Sequence, residues 1–135
     1  MTDNVNGTIR NSSVLGASGA SYGVRAQGSS GNTTVVAIQN SLVSGHAYGV
    51  YSDGQSLAFG ASMSVVDTNV SQNEFALQAT NGGTIALANS RVTHNQFGAT
   101  VGAASFIFTD GRNFFGYNLA DLNGSSTLFG PIGIR

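Results

Sequence analysis

The middle of the chain contains an internal repeat with a fixed period. When the segment that begins at Ser64 is laid over the segment 22 residues further on, the apolar and turn positions coincide. The matching pairs are Val65 with Leu87, Asp67 with Asn89, Val70 with Val92, Asn73 with Asn95, and Phe75 with Phe97. A period of this length predicts a solenoid, in which each repeat buries its apolar face by stacking on the next repeat.

The repeat extends in both directions from this segment. Its unit is an apolar residue, an Asn or Asp two positions later, and a Val three positions after that; the last copy, FTDGRNF, is degenerate and pairs Phe108 with Asp110. Asn and Asp tolerate the left-handed conformation that turns a chain through a corner, and their side chains can bond the same residue one coil away. We therefore predict a structural corner, with stacked side chains, at Asn11, Asn40, Asp67, Asn89 and Asp110.

A second column predicts short strands rather than helices. An aromatic residue, a small residue and often an aliphatic residue follow each unit, at Tyr22, Tyr48, Phe75 and Phe97. The apolar runs between the corners are about five residues long with period 2, which is typical of strands, whereas an amphipathic helix needs ten or more residues with a period near 3.6.

Composition excludes several classes of protein. Charged residues make up 8% of the 135 residues, the formal net charge is −1, and all five basic residues are arginine. We therefore expect neither a nucleic-acid partner nor a membrane partner. The chain has no cysteine, and we find no signal peptide or transmembrane segment in it. The compartment stays open, and it is extracellular if a leader has been removed.

The repeat resembles a known architecture from about Ile9 to Leu128. Three short strands per turn with an Asn-type corner resemble the right-handed parallel β-helix of the pectate-lyase-like families, and ALQATNGGTIALANSRVTHNQFG looks like the generic repeat of bacterial parallel β-helix proteins without assigned activity. The resemblance implies an all-β, single-stranded right-handed parallel β-helix of about five coils. Residues 1–135 then form one domain, with coils at about 8–35, 36–63, 64–84, 85–106 and 107–128.

A short solenoid exposes an apolar core at each end unless a segment covers it. We predict that residues 129–135 form a C-terminal cap, in which Leu128, Phe129, Ile132 and Ile134 fold over the core. The N-terminal MTDNVNG is too short and polar for an amphipathic cap. The sequence therefore predicts a homo-oligomer that forms through open coil ends.

The sequence offers no catalytic residues, no metal ligands and no cofactor site. Glycosidases of this architecture use clustered carboxyl groups, and this chain has no adjacent pair of Asp residues. Asp67 and Asp110 fall in the corner column. His46 and His94 belong to different coils, about 9 to 10 Å apart, which is too far for a shared metal, and we predict that both are exposed corner residues.

The outward row of the strand after the aromatic column is the best candidate for binding. If Val24 and Val50 point inward, period 2 sends Arg25, Tyr51, Gln78 and Thr100 outward on successive coils, with Asp53 beside them. In the resembling families the substrate groove lies along the corresponding sheet. Two functions remain open: a non-catalytic structural or interaction module that self-associates and presents a carbohydrate- or protein-binding face, and a carbohydrate-active enzyme with a groove at Arg25, Tyr51 and Gln78. The absence of acid clusters favours the first, and an ordinary polar sheet face is the alternative to both.

Overall fold

The chain folds into three parallel β-sheets, through which it passes in the same order coil after coil. The computed structural model describes residues 5–17, 21–29, 31–55, 60–124, 126–130 and 133–134. Sheet A contains β1 (Val5–Arg10), β4 (Thr34–Gln39), β7 (Ala61–Val66), β10 (Thr84–Ala88) and β13 (Phe106–Thr109). Sheet B contains β2 (Ser13–Leu15), β5 (Leu42–Ser44), β8 (Asn69–Ser71), β11 (Arg91–Thr93), β14 (Phe114–Gly116) and β16 (Gly133–Ile134). Sheet C contains β3 (Tyr22–Gln27), β6 (Tyr48–Asp53), β9 (Phe75–Thr80), β12 (Phe97–Val101) and β15 (Ala120–Leu122).

This arrangement is a parallel β-solenoid, and it confirms the all-β parallel β-helix that the repeat predicts. Each strand pairs in parallel with the strand one coil before and one coil after it, so that β1, β4, β7, β10 and β13 are separated by four full turns. Ser62 pairs with Thr84 and Val65 with Leu87, which reproduces the 22-residue period as strand register. Among the described residues there is no helix, and hence none that is long and apolar enough to cross a membrane.

The core is a stack of equivalent apolar side chains that all three sheets supply. Alternate residues of each strand point inward, and the register places Ile38 beside Val65, and Val65 beside Leu87. Burial of such side chains is the main stabilising term of the fold, at about 1.5–3 kcal/mol for each large one. The largest fully buried apolar side chains are Phe115, Ile38, Leu77, Ile85, Leu87, Ile107, Val43, Val50, Val65, Val70 and Val92.

The first corner of each coil is made by left-handed Asn and Asp residues, except in the fifth coil. The φ angles are 51° at Asn11, 46° at Asn40, 50° at Asp67 and 47° at Asn89. The Asn40 side-chain amide donates to the Asn11 side chain at 2.7 Å, and the Asn89 amide donates to the Asp67 carboxylate at 2.5 Å.

The predicted corner residue of the fifth coil, Asp110, is wrong by one position. Leu87 pairs with Thr109, so the residue opposite Asn89 is Gly111, which has a φ of 82°. Thr109 takes the buried position, and Phe108 points outward with 41% of its surface exposed. The alternation in FIFT can be assigned in two ways from sequence, and the pairing with β10 selects the one that buries Ile107.

The C-terminal segment continues the solenoid instead of folding over its end. The Phe129 N–H donates to the Ile107 carbonyl and the Phe129 carbonyl accepts from Thr109, which adds a bridge to sheet A. Further on, β16 pairs in parallel with β14 in sheet B. Leu128 is buried, but Phe129 is 45% exposed. Leu128 therefore packs on the core as predicted, the predicted cap is wrong for Phe129, and Ile132 and the side chain of Ile134 lie outside the described residues.

Candidate binding face on sheet C

The outer face of sheet C brings the predicted binding residues into one row. Arg25 pairs with Tyr51, Tyr51 with Gln78, and Gln78 with Thr100, while Val24 and its equivalents on the following coils are buried. The row runs along the solenoid axis, with one side chain for each coil. It presents a cation, a phenol, an amide and a hydroxyl on successive strands.

A column of stacked aromatic rings borders this row. Successive ring centroids are 5.0 Å apart from Tyr22 to Tyr48, 5.3 Å from Tyr48 to Phe75 and 5.2 Å from Phe75 to Phe97, and the planes are within 22° of parallel. The Tyr22 and Tyr48 rings also contact the Tyr51 ring, at 5.1 and 5.4 Å between centroids. The column therefore belongs to the same surface as the row.

The small residue after each aromatic explains why strict alternation fails here. A Cβ at Gly23 would lie 2.6 Å from the Gly49 carbonyl oxygen, and one at Gly98 would lie 2.6 Å from that of Asp121. The backbones of adjacent coils approach closely at this position, and the strand pairing resumes one residue later, at Val24 with Val50. An aromatic three positions before the row thus shares its outer face, although period 2 places it inside. The sequence predicted the aromatic column but not its place on the candidate face. The column of small residues directly after the aromatics was the signal that could have indicated it.

Arg25 links the aromatic column to the row. Its guanidinium carbon lies 4.8 Å from the centroid of Tyr22 and 5.5 Å from that of Tyr51, and Nη2 lies 3.7 Å from Oδ2 of Asp53. The arginine side chain is about one-third exposed. Stacking on two rings fixes the orientation of the cation while it still reaches solvent.

Asp53 is a buried structural carboxylate rather than an exposed binding residue. It is only 4% exposed, and it accepts hydrogen bonds from the Gln55 backbone N–H at 3.0 Å, the Gln55 side chain at 2.9 Å and the Asn81 side chain at 3.2 Å. Burial by itself raises the pKa of Asp53, but these hydrogen bonds and the Arg25 charge outweigh it and lower the pKa below its usual value. The prediction that Asp53 lies exposed in the row is wrong, because Gln55 and the Asn81 side chain of the following coil lie against its carboxylate and bond to it.

Gln78 and Thr100 carry polar atoms that the fold leaves unsatisfied. The Gln78 Oε1 and Thr100 Oγ1 atoms are shielded from solvent and have no hydrogen-bond partner. Such atoms cost about 1–3 kcal/mol each when they stay unpaired, and their presence often marks a site where a ligand or water bonds. In the part of the chain that the structure describes, these are the buried side-chain oxygens without a partner.

The two histidines occupy different columns, and only one is exposed. His46 is 7% exposed; its Nε2 lies 3.1 Å from the Val14 carbonyl oxygen and its Nδ1 lies 3.3 Å from the Ser21 hydroxyl. Its backbone N–H donates to the Asn73 side chain, so it occupies the position that Asn residues hold in the later coils. His94 is exposed and stacks on Tyr117 at 5.3 Å. The prediction of two exposed corner histidines is therefore wrong for His46.

A surface depression lies at the corner between sheets A and B. It has a volume of about 390 Å³ and is lined by Asn40, Ser41, Asp67, Thr68, Asn69, Asn89 and Arg91. The Arg91 guanidinium rests 5.0 Å above the Phe114 ring, and Arg112 pairs with Asp110 at 3.0 Å. Arg91 and Arg112 therefore each have a partner of their own.

Across the described ranges, no group of three or more His, Cys, Asp or Glu side chains is arranged to hold a metal ion.

No protein-family model, no curated protein and no solved structure matches the chain.

Proposed function

We propose that the protein is a non-catalytic β-helix interaction module that binds a carbohydrate chain on the outer face of sheet C. We also propose that the chain is related to bacterial parallel β-helix proteins of the pectate-lyase-like type. The observation that carries the carbohydrate proposal is that aromatic rings and unpaired polar atoms share one sheet face. The exposed Tyr22 and the half-buried Tyr48 and Tyr51 stand beside Gln78 and Thr100, whose unpaired oxygens are shielded from solvent. Sugar rings stack on aromatic faces, and a sugar hydroxyl that displaces the groups shielding the Gln78 and Thr100 oxygens supplies the hydrogen-bond partner that they lack.

The repeat of the face suits a polymer better than a compact ligand. Successive side chains of the row lie one coil apart, about 4.8 Å, so a ligand that follows the row from Arg25 to Thr100 extends over roughly 14 Å. An extended saccharide of several residues spans this distance. A protein segment lying along the face is the alternative ligand.

A polysaccharide screen with immobilised or fluorescent glycans tests the proposal, and Gln78→Leu is the sharpest variant. Loss of the amide removes the contact to the ligand, and we expect at least a tenfold weaker Kd for the glycan that binds. The same substitution removes a buried unpaired oxygen, so the free energy of unfolding should stay equal or rise. Tyr51→Ala should weaken binding by a similar factor.

Asn69→Ala is the matched control, because Asn69 is exposed on the outer face of sheet B. It should leave binding unchanged. If no glycan binds, or if Gln78→Leu and Asn69→Ala bind equally well, the carbohydrate proposal is wrong, and a protein ligand becomes the subject of the search.

The alternative, a carbohydrate-active enzyme with a groove at Arg25, Tyr51 and Gln78, has less support. A general acid needs a raised pKa, whereas the carboxyl nearest to the row, Asp53, has a lowered one and is held by three hydrogen bonds. New reducing ends or unsaturated products after incubation with the bound glycan would favour the enzyme.

Self-association through the coil ends is a separate proposal. In the first coil Val5 is 59% exposed, and Ile9 and Val14 are only partly covered. Light scattering over a range of concentrations, with Val14→Asp for comparison, tests it: loss of assembly in the variant, with retained circular dichroism, supports an end contact.

A further inference from the structure

The outer face of sheet A has small or apolar side chains and no charge on its three central strands. The outward residues of β4, β7 and β10 are Val35, Ala37, Gln39, Ser62, Ser64, Val66, Thr84, Ala86 and Ala88. Apart from Gln39, all of these residues have small or apolar side chains. A solvated sheet face normally alternates with charged or long polar residues, so this face has the character of a covered one.

Bulky aromatic rings stand at one end of this flat face. Phe106, Phe108 and Phe129 contact one another with centroids 5.2–6.0 Å apart, and Phe108 and Phe129 are largely exposed. Beside them lies an apolar depression of about 240 Å³ whose lining includes Ala86 and Ala88. At the opposite end of the face, β1 presents only the short side chains of Asn6 and Thr8 next to Arg10.

Charges of opposite sign mark the two ends of one line of residues. Arg10 pairs with Gln39, Gln39 with Val66, and Val66 with Ala88; Asp110 follows β13 at the far end of that line. Arg10 makes no ion pair with any described residue, and Asp110 is bonded to Arg112 on its own corner. The far end thus carries the exposed Asp110–Arg112 ion pair, and a two-fold rotation brings Arg10 to its carboxylate as a second cation.

We propose that this face binds a second copy of the chain around a two-fold axis that runs parallel to the strands, above β7 and midway between the two sheets. The rotation reverses the order of the coils but keeps the strand direction, so coil 1 of one copy faces coil 5 of the other. Arg10 then faces Asp110 of the second copy, and the Phe106 and Phe108 rings lie over the short side chains of β1. Ser64 meets its own equivalent near the axis. The two sheets pack as an aligned sandwich about 10 Å apart.

The area of the face indicates a weak dimer. Five strands of up to six residues cover roughly 20 Å by 20 Å, or about 400 Å² for each copy, which is below what stable complexes bury. The apolar centre supplies the attraction. The exposed charge pairs at the two ends add little affinity, but they select the antiparallel order of coils. We therefore expect assembly that depends on concentration.

Solution mass by analytical ultracentrifugation, from about 1 µM to 1 mM, tests the proposal with a variant at the axis. Ser64→Arg places two guanidinium groups against each other and should raise the dimer Kd at least tenfold. Asn69→Arg adds the same charge on the outer face of sheet B and should leave the Kd unchanged.

Cross-linking supplies a second measurement that does not depend on a disruptive substitution. The chain has no cysteine, so Ser64→Cys and Asn69→Cys each introduce one reactive thiol. A short bis-maleimide reagent should join two Ser64→Cys chains at high concentration and should not join Asn69→Cys chains. A monomer at every concentration, a dimer that Ser64→Arg leaves intact, or equal cross-linking of both cysteine variants would overturn the proposal.

Discussion

Single residues in this protein have roles that depend on which column they occupy, more than on their chemical type. Asp53 shows this most clearly. It is the last residue of β6, the strand that also carries Tyr51 of the candidate binding row. Its carboxylate nevertheless accepts three hydrogen bonds and forms an ion pair with Arg25. Its lowered pKa is a consequence of that role, and it makes the stability of the fold depend on pH.

We predict that Asp53→Asn removes a stabilising contribution that is present only above the ordinary carboxyl pKa. Because the folded-state pKa is lower than the unfolded-state value of about 3.9, the ionised form stabilises the fold above pH 4, and this contribution is lost as the pH falls through the folded-state pKa. Urea unfolding at a series of pH values should show wild type more stable than the variant by at least about 1.5 kcal/mol at pH 7. The gap should close toward pH 2.

Asp110→Asn is the comparison for this experiment. Hydrogen bonds from the Arg112 backbone and side chain, with the Arg112 charge, also lower the pKa of Asp110, but the group is solvent-exposed. Water screens its interactions, so the pH profile of this variant should follow wild type closely. A pH-independent gap for Asp53→Asn would contradict the assigned role.

At the level of elements, the corners are held by ladders of side chains that join one coil to the next. The exposed ladder consists of two separate pairs, Asn40 with Asn11 and Asn89 with Asp67. The buried ladder runs through His46, Asn73, Asn95 and Asn118. In the buried ladder each Asn side chain accepts from the backbone N–H of the equivalent residue one coil before it, the first of these being His46. The Asn side chains also donate to the carbonyl of an inward-facing Val, as Asn95 does to Val70 at 3.0 Å.

We predict that the two ladders differ sharply in their contribution to stability. Asn95→Ala should lower the free energy of unfolding by about 3 kcal/mol, because it leaves the Asn73 N–H and the Val70 carbonyl buried without partners. Asn89→Gly should cost less than about 1 kcal/mol, since Asn89 is exposed and glycine accepts its left-handed φ. Denaturant midpoints at constant m-value measure both.

Equal losses for Asn95→Ala and Asn89→Gly would refute this distinction. An Asn95→Asp variant separates geometry from hydrogen bonding, because it keeps the acceptor that Asn73 uses and loses the donor to Val70. Where its buried carboxyl is ionised, the variant should be no more stable than Asn95→Ala. Where the carboxyl is protonated and regains an O–H donor, it should fall between Asn95→Ala and wild type.

The elements also show what the sequence could and could not predict. Where copies repeat at 22 residues, as at Val65 and Leu87, aligning the letters gave the strand register directly. In the fifth coil the same alignment chose Phe108 over Thr109, because hydrophobicity was the criterion whereas strand pairing decides which residue is buried. The candidate row followed from alternation, but the burial of Asp53 depends on Gln55 and Asn81, whose bonds to its carboxylate the repeat does not predict.

The whole molecule behaves as a one-dimensional stack, because every strand pair joins neighbouring coils. Stability in such an array is close to a sum of coil and interface terms, so the ends open more easily than the middle. The exposed residues of β1 contrast with the fully buried inward residues of β7 and β10.

Amide hydrogen exchange should therefore be graded along the axis. We expect the slowest exchange in β7 and β10 and exchange at least a hundredfold faster in β1, which corresponds to about 2.7 kcal/mol less protection. Mass spectrometry of peptides measures the exchange profile of the monomer at low protein concentration. The same measurement at a concentration at which the dimer forms serves as the comparison. Uniform protection over all coils would mean that the solenoid unfolds as a single cooperative unit.

The register of the stack also determines which changes in chain length it tolerates. Ser62 and Thr84 occupy equivalent places in successive coils. Removal of residues 62–83 would therefore join Ala61 to Thr84, and Thr84 would take the place of Ser62. Each remaining side chain would keep its inward or outward orientation. Deletion of one residue within a strand would instead reverse that orientation for the rest of the strand. For this molecule a loss of 22 residues is thus a smaller disturbance than a loss of one, and the coil is the unit in which its length can vary.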